Sequence, residues 1–79
     1  MEIKILGTGC AKCNSLEKLT QEVVKDLGLT ANISKEEDIL RIMEYGIMRT
    51  PGLVINDKVV ISGRVPAKKE IEKILTQNQ

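Results

Sequence analysis

The chain has 79 residues, enough for one domain with one modest hydrophobic core. Its 12 Lys and Arg residues are interspersed with 11 Asp and Glu residues, which argues against nucleic-acid binding and against a polybasic membrane anchor. Phe and Trp are absent and Tyr45 is the only aromatic residue, so stacking on single-stranded nucleic acid is also disfavoured. We therefore expect one domain over residues 1–79, with a core of Ile, Leu, Val and Met.

No apolar stretch reaches the length of a membrane span, and the first predicted strand starts at the initiator Met, which leaves no signal peptide. Both features predict a cytoplasmic protein. In that compartment a structural disulfide is unusual, and a Cys-x-x-Cys pair more often cycles or binds metal.

The first predicted element is a strand, because polar and apolar residues alternate over residues 1–6. A break containing two glycines follows at residues 7–9, and an amphipathic helix is predicted from about residue 11 to residue 27. Gly28 is expected to end this helix. The expected buried stripe of the helix consists of Leu16, Leu19, Val23 and Leu27.

The two cysteines of the chain, Cys10 and Cys13, lie where this strand passes into the helix. Two thiols three residues apart on a first helical turn share a face and can close a disulfide. The helix N-terminus carries a partial positive charge, which favours the thiolate that disulfide exchange requires. The motif predicts a redox site without a metal or organic cofactor, in which Cys10 attacks and Cys13 resolves.

The middle of the chain predicts a short strand at residues 30–33 and then a second helix. Ser34 and Glu37 have the spacing of a capping box, which would open that helix. Its apolar residues Ile39, Ile42 and Met43 share one face, and the helix should fray near residues 45–46.

The last third of the chain predicts a β-hairpin and a final helix. Strands at residues 52–55 and 59–62 flank a tight turn at residues 56–58. Pro66 is suited to the first position of the last helix, whose apolar face consists of Ile71, Ile74 and Leu75. The predicted fold class is α/β, in the order β-α-β-α-β-β-α, with helices on both faces of a mixed four-stranded sheet. The first β-α-β unit should be parallel and the hairpin antiparallel.

This order, with Cys-x-x-Cys after the first strand, resembles the minimal thioredoxin or glutaredoxin fold over nearly the whole chain. Residues 45–55 (YGIMRTPGLVI) resemble the thioredoxin segment in which Tyr-Gly-Ile is followed, after three residues, by a proline and a strand. The resemblance implies that Pro51 is a cis-proline packed against the dithiol. It also implies that Thr50 contacts the substrate and that Gly63 lies near the site.

The same resemblance implies a thiol–disulfide oxidoreductase that acts on protein disulfides and is regenerated by an unidentified reductase. We expect the chain to be a monomer that binds neither nucleic acid nor membrane. One departure from the family concerns the proton acceptor of the second thiol. Thioredoxins carry a buried strand carboxylate six residues before the first cysteine, and this chain has Lys4 there.

The alternative is a soluble metal-binding module that uses the two thiolates. Heavy-metal-associated domains have a similar length and the same motif after the first strand, but their order is β-α-β-β-α-β. The helical periods at residues 35–44 and 67–75 disagree with that order. Two sulfurs do not complete a tetrahedral zinc site, and the chain has no His, so two chains would have to share the metal.

Overall fold

The computed structural model describes residues 1–7 and 11–78 of the chain. They form β1 (Glu2–Leu6), α1 (Ala11–Leu27), β2 (Asn32–Glu36), α2 (Ile39–Glu44), β3 (Gly52–Ile55), β4 (Lys58–Ser62) and α3 (Lys68–Gln77). The predicted element order is confirmed, and α1 and β3 have the predicted bounds. None of the helices in these two ranges combines the length and apolarity needed to cross a membrane.

The strands of the described residues form one mixed sheet in the order β2-β1-β3-β4. β1 and β2 are parallel, whereas β3 is antiparallel to both of its neighbours. The predicted parallel pair and antiparallel hairpin are therefore confirmed. Leu6, the last residue of β1, pairs with Gly52, the first residue of β3. The segment that follows β1 and the segment that precedes β3 therefore leave the sheet side by side.

The core is divided by the alternation of side chains along β1. Ile3 and Ile5 point to the face covered by α1 and α3, whereas Leu6 points to the face covered by α2. The residues of the larger cluster are Ile3, Ile5, Leu16, Val23, Leu53, Ile55, Ile61, Ile71 and Leu75. The residues of the smaller cluster are Leu6, Ile42, Ile47 and Val54. Helices thus cover both faces, as predicted.

The buried stripe of α1 is partly as predicted: Leu16 and Val23 are fully buried, but Leu27 is 39 % exposed. The cause lies at the helix end, where Gly28 adopts a positive φ of 65° and turns the chain. The backbone N–H of Leu29 then donates to the Val24 carbonyl (3.0 Å), and Leu29 packs against the larger cluster. Leu29 thus contributes the core contact that the sequence pattern predicted for Leu27.

The predicted bounds of β2 and the predicted start of α2 are wrong, although both elements are present. β2 extends over Asn32–Glu36, and within it Ser34 pairs with Lys4 rather than opening a helix. The N-cap of α2 is Asp38, whose carboxylate accepts a hydrogen bond from the backbone N–H of Leu40 (3.0 Å). Pairing with β1 satisfies the backbone groups of β2 that face β1, and this non-local gain overrides the local capping signal.

The hairpin turn is one residue shorter than predicted. Asn56 and Asp57, with φ of 50° and 67°, form a two-residue loop, and Lys58 already belongs to β4. The start of α3 also differs, because Pro66 precedes the N-cap Ala67 and does not occupy the first helical position. Pro66 is buried, so packing rather than helix initiation fixes its place.

The two capping assignments can be separated by mutation. We expect Asp38→Ala to lower the free energy of unfolding by about 1 kcal/mol, because it removes the side-chain acceptor of the α2 N-terminus. Ser34→Ala is the matched control and should change stability by less than about 0.5 kcal/mol, as an exposed strand position. Urea unfolding of the two variants tests this, and a larger loss for Ser34→Ala would contradict the observed boundary.

Candidate dithiol site

The candidate site lies at the edge of the sheet where β1 and β4 end and β3 begins. Gly52 pairs with Leu6 on one side and with Ser62 on the other. Pro51, which precedes β3, and Gly63, which follows β4, therefore meet at this edge. Cys13 reaches it from the first turn of α1, whereas Cys10 lies outside the described residues.

Cys13 is only 3 % exposed, and its sulfur is in a disulfide. Gly7, the residue after β1, lies against it. A Cβ atom at Gly7 would come within 2.9 Å of Cys13 Cβ and still closer to Sγ. Only glycine at this position lets the first turn of α1 pack so closely on the end of β1. The sequence pattern predicted Gly7 only as a break between elements and missed this role.

The structure brings the three predicted substrate-binding residues together. The Thr50–Pro51 peptide bond is cis, as predicted, and Pro51 is buried. The backbone N–H of Gly63 donates to the Pro51 carbonyl (2.8 Å), which ties the loop before β3 to the end of β4. Gly63 has a φ of 78°, a conformation that favours glycine. Contact of these residues with a substrate stays a prediction.

Two arginines flank this loop and differ in their partners. Arg64 donates to both carboxylate oxygens of Glu70 in α3, with 2.9 Å between Nη1 and Oε1. The hydrogen bond from Arg64 lowers the pKa of the Glu70 carboxyl. Arg49 is exposed and takes part in none of the ion pairs found among the described residues. Arg64 therefore anchors α3, and Arg49 is the cation that faces solvent beside Thr50.

Lys4, at the position of the family's buried carboxylate, points toward α2 and away from α1. Its Nζ donates to the Tyr45 hydroxyl (3.2 Å) and lies 5.9 Å from the centroid of the ring. This hydrogen bond raises the pKa of Lys4. The ammonium borders an open pocket that is also lined by Glu36, Arg41 and Glu44. Cys13 packs with Ile5 on the opposite face of β1, so Lys4 is not positioned to take its proton.

An apolar groove adjoins Thr50 on the outer side of α2. Its cavity of about 300 Å³ is bordered by Ile39, Ile42, Met43, Ile47, Met48, Arg49 and Thr50. Ile39, Ile42 and Met43, which were predicted to share one face of the helix, all border this groove, but only Ile42 is buried, whereas Ile39 and Met43 are more than half exposed. Within α2 only Ile42 belongs to the smaller cluster, so Ile39 and Met43 line the open groove.

A second, very small cavity lies beside Cys13, and the sequence prediction missed that Lys35 and Glu37 border it. Ile5, Gly7, Cys13, Asn14, Lys35 and Glu37 line it, and its volume is about 10 Å³. Lys35 is opposite Ile5 in the parallel β1–β2 register and shares its face. Correct placement of β2 would have revealed these residues, because positions 33, 35 and 37 alternate with the same period as positions 3, 5 and 7.

This sheet, with a Cys-x-x-Cys segment after β1 and a cis-proline before β3, defines a thioredoxin-fold protein. The family model for the thioredoxin domain matches residues 1–76, and the chain belongs to that family. The chain is 46 % identical over 76 residues to a thioredoxin of Methanothermobacter thermautotrophicus, an alignment covering 96 % of this chain and 99 % of the relative. It is 38 % identical over 73 residues to a thioredoxin of Methanocaldococcus jannaschii, covering 92 % and 84 % of the two chains.

A third relative, a probable thioredoxin of Archaeoglobus fulgidus, is 33 % identical over 69 residues, which cover 84 % of this chain and 75 % of the relative. The predicted family and activity are confirmed: the chain is a thiol–disulfide oxidoreductase of the thioredoxin family. The same findings give the metal-binding alternative no support.

The contact between Gly7 and Cys13 leads to a test by mutation. We expect Gly7→Ala to lower the free energy of unfolding of the reduced protein by about 1–3 kcal/mol, because the added methyl group overlaps Cys13. Urea unfolding in the presence of excess dithiothreitol measures this without a contribution from the disulfide.

The control for this test is the same substitution in a Cys13→Ala background. Without the Cys13 sulfur, Gly7→Ala should lower the free energy of unfolding by substantially less than it does in the wild type. The difference between the two losses is the coupling energy between positions 7 and 13. Equal losses in both backgrounds would show that Gly7 is required for another reason.

Proposed function

We propose that Cys10 and Cys13 form the redox pair through which the chain exchanges disulfides with protein partners. The observation that carries the proposal is the disulfide at Cys13, in a chain whose only other cysteine is Cys10. Cys13 is buried on the first turn of α1, and Cys10 precedes that helix directly. The exposed partner of such a pair attacks, and the buried one resolves.

In the proposed reaction the Cys10 thiolate attacks one sulfur of a substrate disulfide. A bond forms between Cys10 and that sulfur, and the other substrate sulfur leaves as a thiolate that takes up a proton. Cys13 then loses its proton and attacks Cys10, so that the Cys10–Cys13 disulfide forms and the second substrate sulfur leaves as a thiolate that takes up a proton. The protein loses two electrons and the substrate disulfide gains them. A dithiol reductant reverses the change.

We propose further that the substrate lies along the edge formed by Thr50, Pro51 and Gly63. The hydrogen bond between Gly63 and Pro51 supports this, because it holds the loop rigidly next to the end of β1. The apolar groove beside Thr50 would accept an apolar side chain of the partner, and Arg49 is its one charged lining residue in the described part of the chain. A separate reductase, a cytoplasmic location and a monomeric state stay predictions.

The roles of the two thiols can be tested by trapping. We expect Cys13→Ser to accumulate mixed disulfides with a protein substrate such as insulin, because the attack by Cys10 is kept and its resolution is lost. Cys10→Ser should give none, since the buried thiol at position 13 is sheltered from the partner.

Non-reducing electrophoresis and mass spectrometry after alkylation measure the adducts. Equal trapping by the two variants, or trapping only by Cys10→Ser, would contradict the assigned roles.

A further inference from the structure

The side chain of Arg49, the residue directly before Thr50 and the cis-proline, packs on Gly63. A Cβ atom at Gly63 would come within 3.2 Å of Arg49 Cβ and 3.6 Å of Arg49 Cδ. The methylene stem of Arg49 therefore runs across the Cα atom of Gly63. The N–H of the same glycine donates to the Pro51 carbonyl (2.8 Å), so the stem lies over the junction between the loop and the end of β4.

The guanidinium at the end of this stem is open to a partner. Arg49 is exposed and takes part in none of the ion pairs within residues 1–7 and 11–78, whereas Arg64, which follows Gly63, is held by both carboxylate oxygens of Glu70. Long charged side chains commonly pack their stems on the protein and keep their heads in water. Because the stem of Arg49 is already packed, less side-chain entropy is lost when its head binds a partner group.

The cation also borders the apolar groove beside Thr50, where it is the one charged residue that lines the groove among the described residues. Ile39 and Met43 are more than half exposed there, and Met48 is almost fully exposed. These side chains gain free energy when an apolar residue of a partner covers them. An unpaired guanidinium binds best to a carboxylate, whose two oxygens match its planar fork of donors. The groove and the cation together therefore fit an apolar and an acidic side chain that lie next to each other.

We propose that Arg49 determines the specificity of the site by binding an acidic side chain close to the partner's disulfide, while a neighbouring apolar side chain enters the groove. This selectivity rests on the proposed function, because Cys10 has to attack the disulfide that the two contacts place. Opposite charges act mainly on the rate of encounter, and salt weakens their attraction. A basic residue at the same place in a partner is repelled, so the cation also selects against wrong partners.

Peptides whose cysteine is disulfide-linked to 5-thio-2-nitrobenzoate test this selection. The Cys10 thiolate bonds to the peptide sulfur, and the coloured nitrobenzoate thiolate leaves. The first peptide is Leu-Glu-Cys-Glu-Leu, with blocked ends, so that the acid and the leucine flank the cysteine on both sides. Gln replaces both Glu in the second peptide, and Ala replaces both Leu in the third. Stopped-flow absorbance gives the second-order rate constants, and the ratio for two peptides is compared between proteins, so that the intrinsic reactivity of each peptide cancels.

We expect the Glu-to-Gln rate ratio to fall about threefold in Arg49→Gln at low ionic strength, within the range for an exposed ion pair. It should fall further in Arg49→Glu, and the differences should vanish at about 1 M salt. Arg41→Gln is the matched control. It removes the same charge from another exposed arginine outside the ion pairs of the described ranges, which borders the pocket beside Lys4 and not the groove. Its Glu-to-Gln ratio should equal that of the wild type.

A second variant tests the groove separately. Met43→Gln keeps nearly the same size at an exposed position, so the fold should be retained. We expect it to lower the Leu-to-Ala rate ratio by about twofold or more, because the leucine loses apolar contact. Its Glu-to-Gln ratio should not change.

A Glu-to-Gln ratio in Arg49→Gln equal to that of the wild type, or an equal fall in Arg41→Gln, would overturn the role of Arg49. A Leu-to-Ala ratio unaffected by Met43→Gln would overturn the role of the groove, as would a dimer that dissociates in this variant, because a second copy of the chain would then occupy it. All these results leave the redox pair intact. Mass measurement of the products separates them from a failure of the pair, in which the peptide would stay attached and no Cys10–Cys13 disulfide would form. In that case the proposed function would fall, and the selectivity with it.

Discussion

The site depends on the close approach between the first turn of α1 and the end of β1. Gly7 has no side chain, and Cys13 occupies the space that a side chain would fill. This contact buries the second cysteine, which is only 3 % exposed. It also sets the size of the cavity beside Cys13, because Gly7 forms part of its wall. A bulkier residue at position 7 would push the helix away and open the site to water.

Because side chains alternate along β1 and β2, the two faces of the sheet contribute to different sites. Ile5 and Lys35 face α1 and lie beside Cys13, whereas Lys4 and Glu36 face α2 and border the pocket near Tyr45. A lysine at position 4 is therefore compatible with disulfide exchange at Cys10 and Cys13. The Lys4 ammonium donates a hydrogen bond to the Tyr45 hydroxyl on the face of the sheet opposite Cys13.

Much of the fold follows from local patterns in the sequence. α1 has a long apolar period ended by Gly28, and β3 is a continuous apolar strand, so both were predicted with the observed bounds. The errors occur where a non-local contact decides the outcome. Ser34 carries a capping signal, but pairing with Lys4 draws it into β2. Glu37 was assigned to that same capping box, and for this reason its place beside Cys13 could not be foreseen from the sequence.

The candidate site was predictable only in part, again because local patterns in the sequence do not show non-local contacts. Cys13, Pro51 and Gly63 are recognisable from spacing and family resemblance, and the structure places Pro51 and Gly63 in direct hydrogen-bonded contact. The groove beside Thr50 was not predictable, because helical period alone does not show how far α2 extends over the core. The pattern places Ile39 and Met43 on one face with Ile42, but it does not show that only Ile42 is buried.

The central claim is that Cys10 and Cys13 cycle between a dithiol and a disulfide within one chain. Equilibration of the wild-type protein in a series of dithiothreitol redox buffers, followed by alkylation and mass measurement, tests it most directly. We expect a single reversible transition in which both thiols disappear together, with the ratio of oxidised to reduced protein changing tenfold for about every 30 mV. Thiols that stay reduced across the series, or that oxidise only by linking two chains, would contradict it.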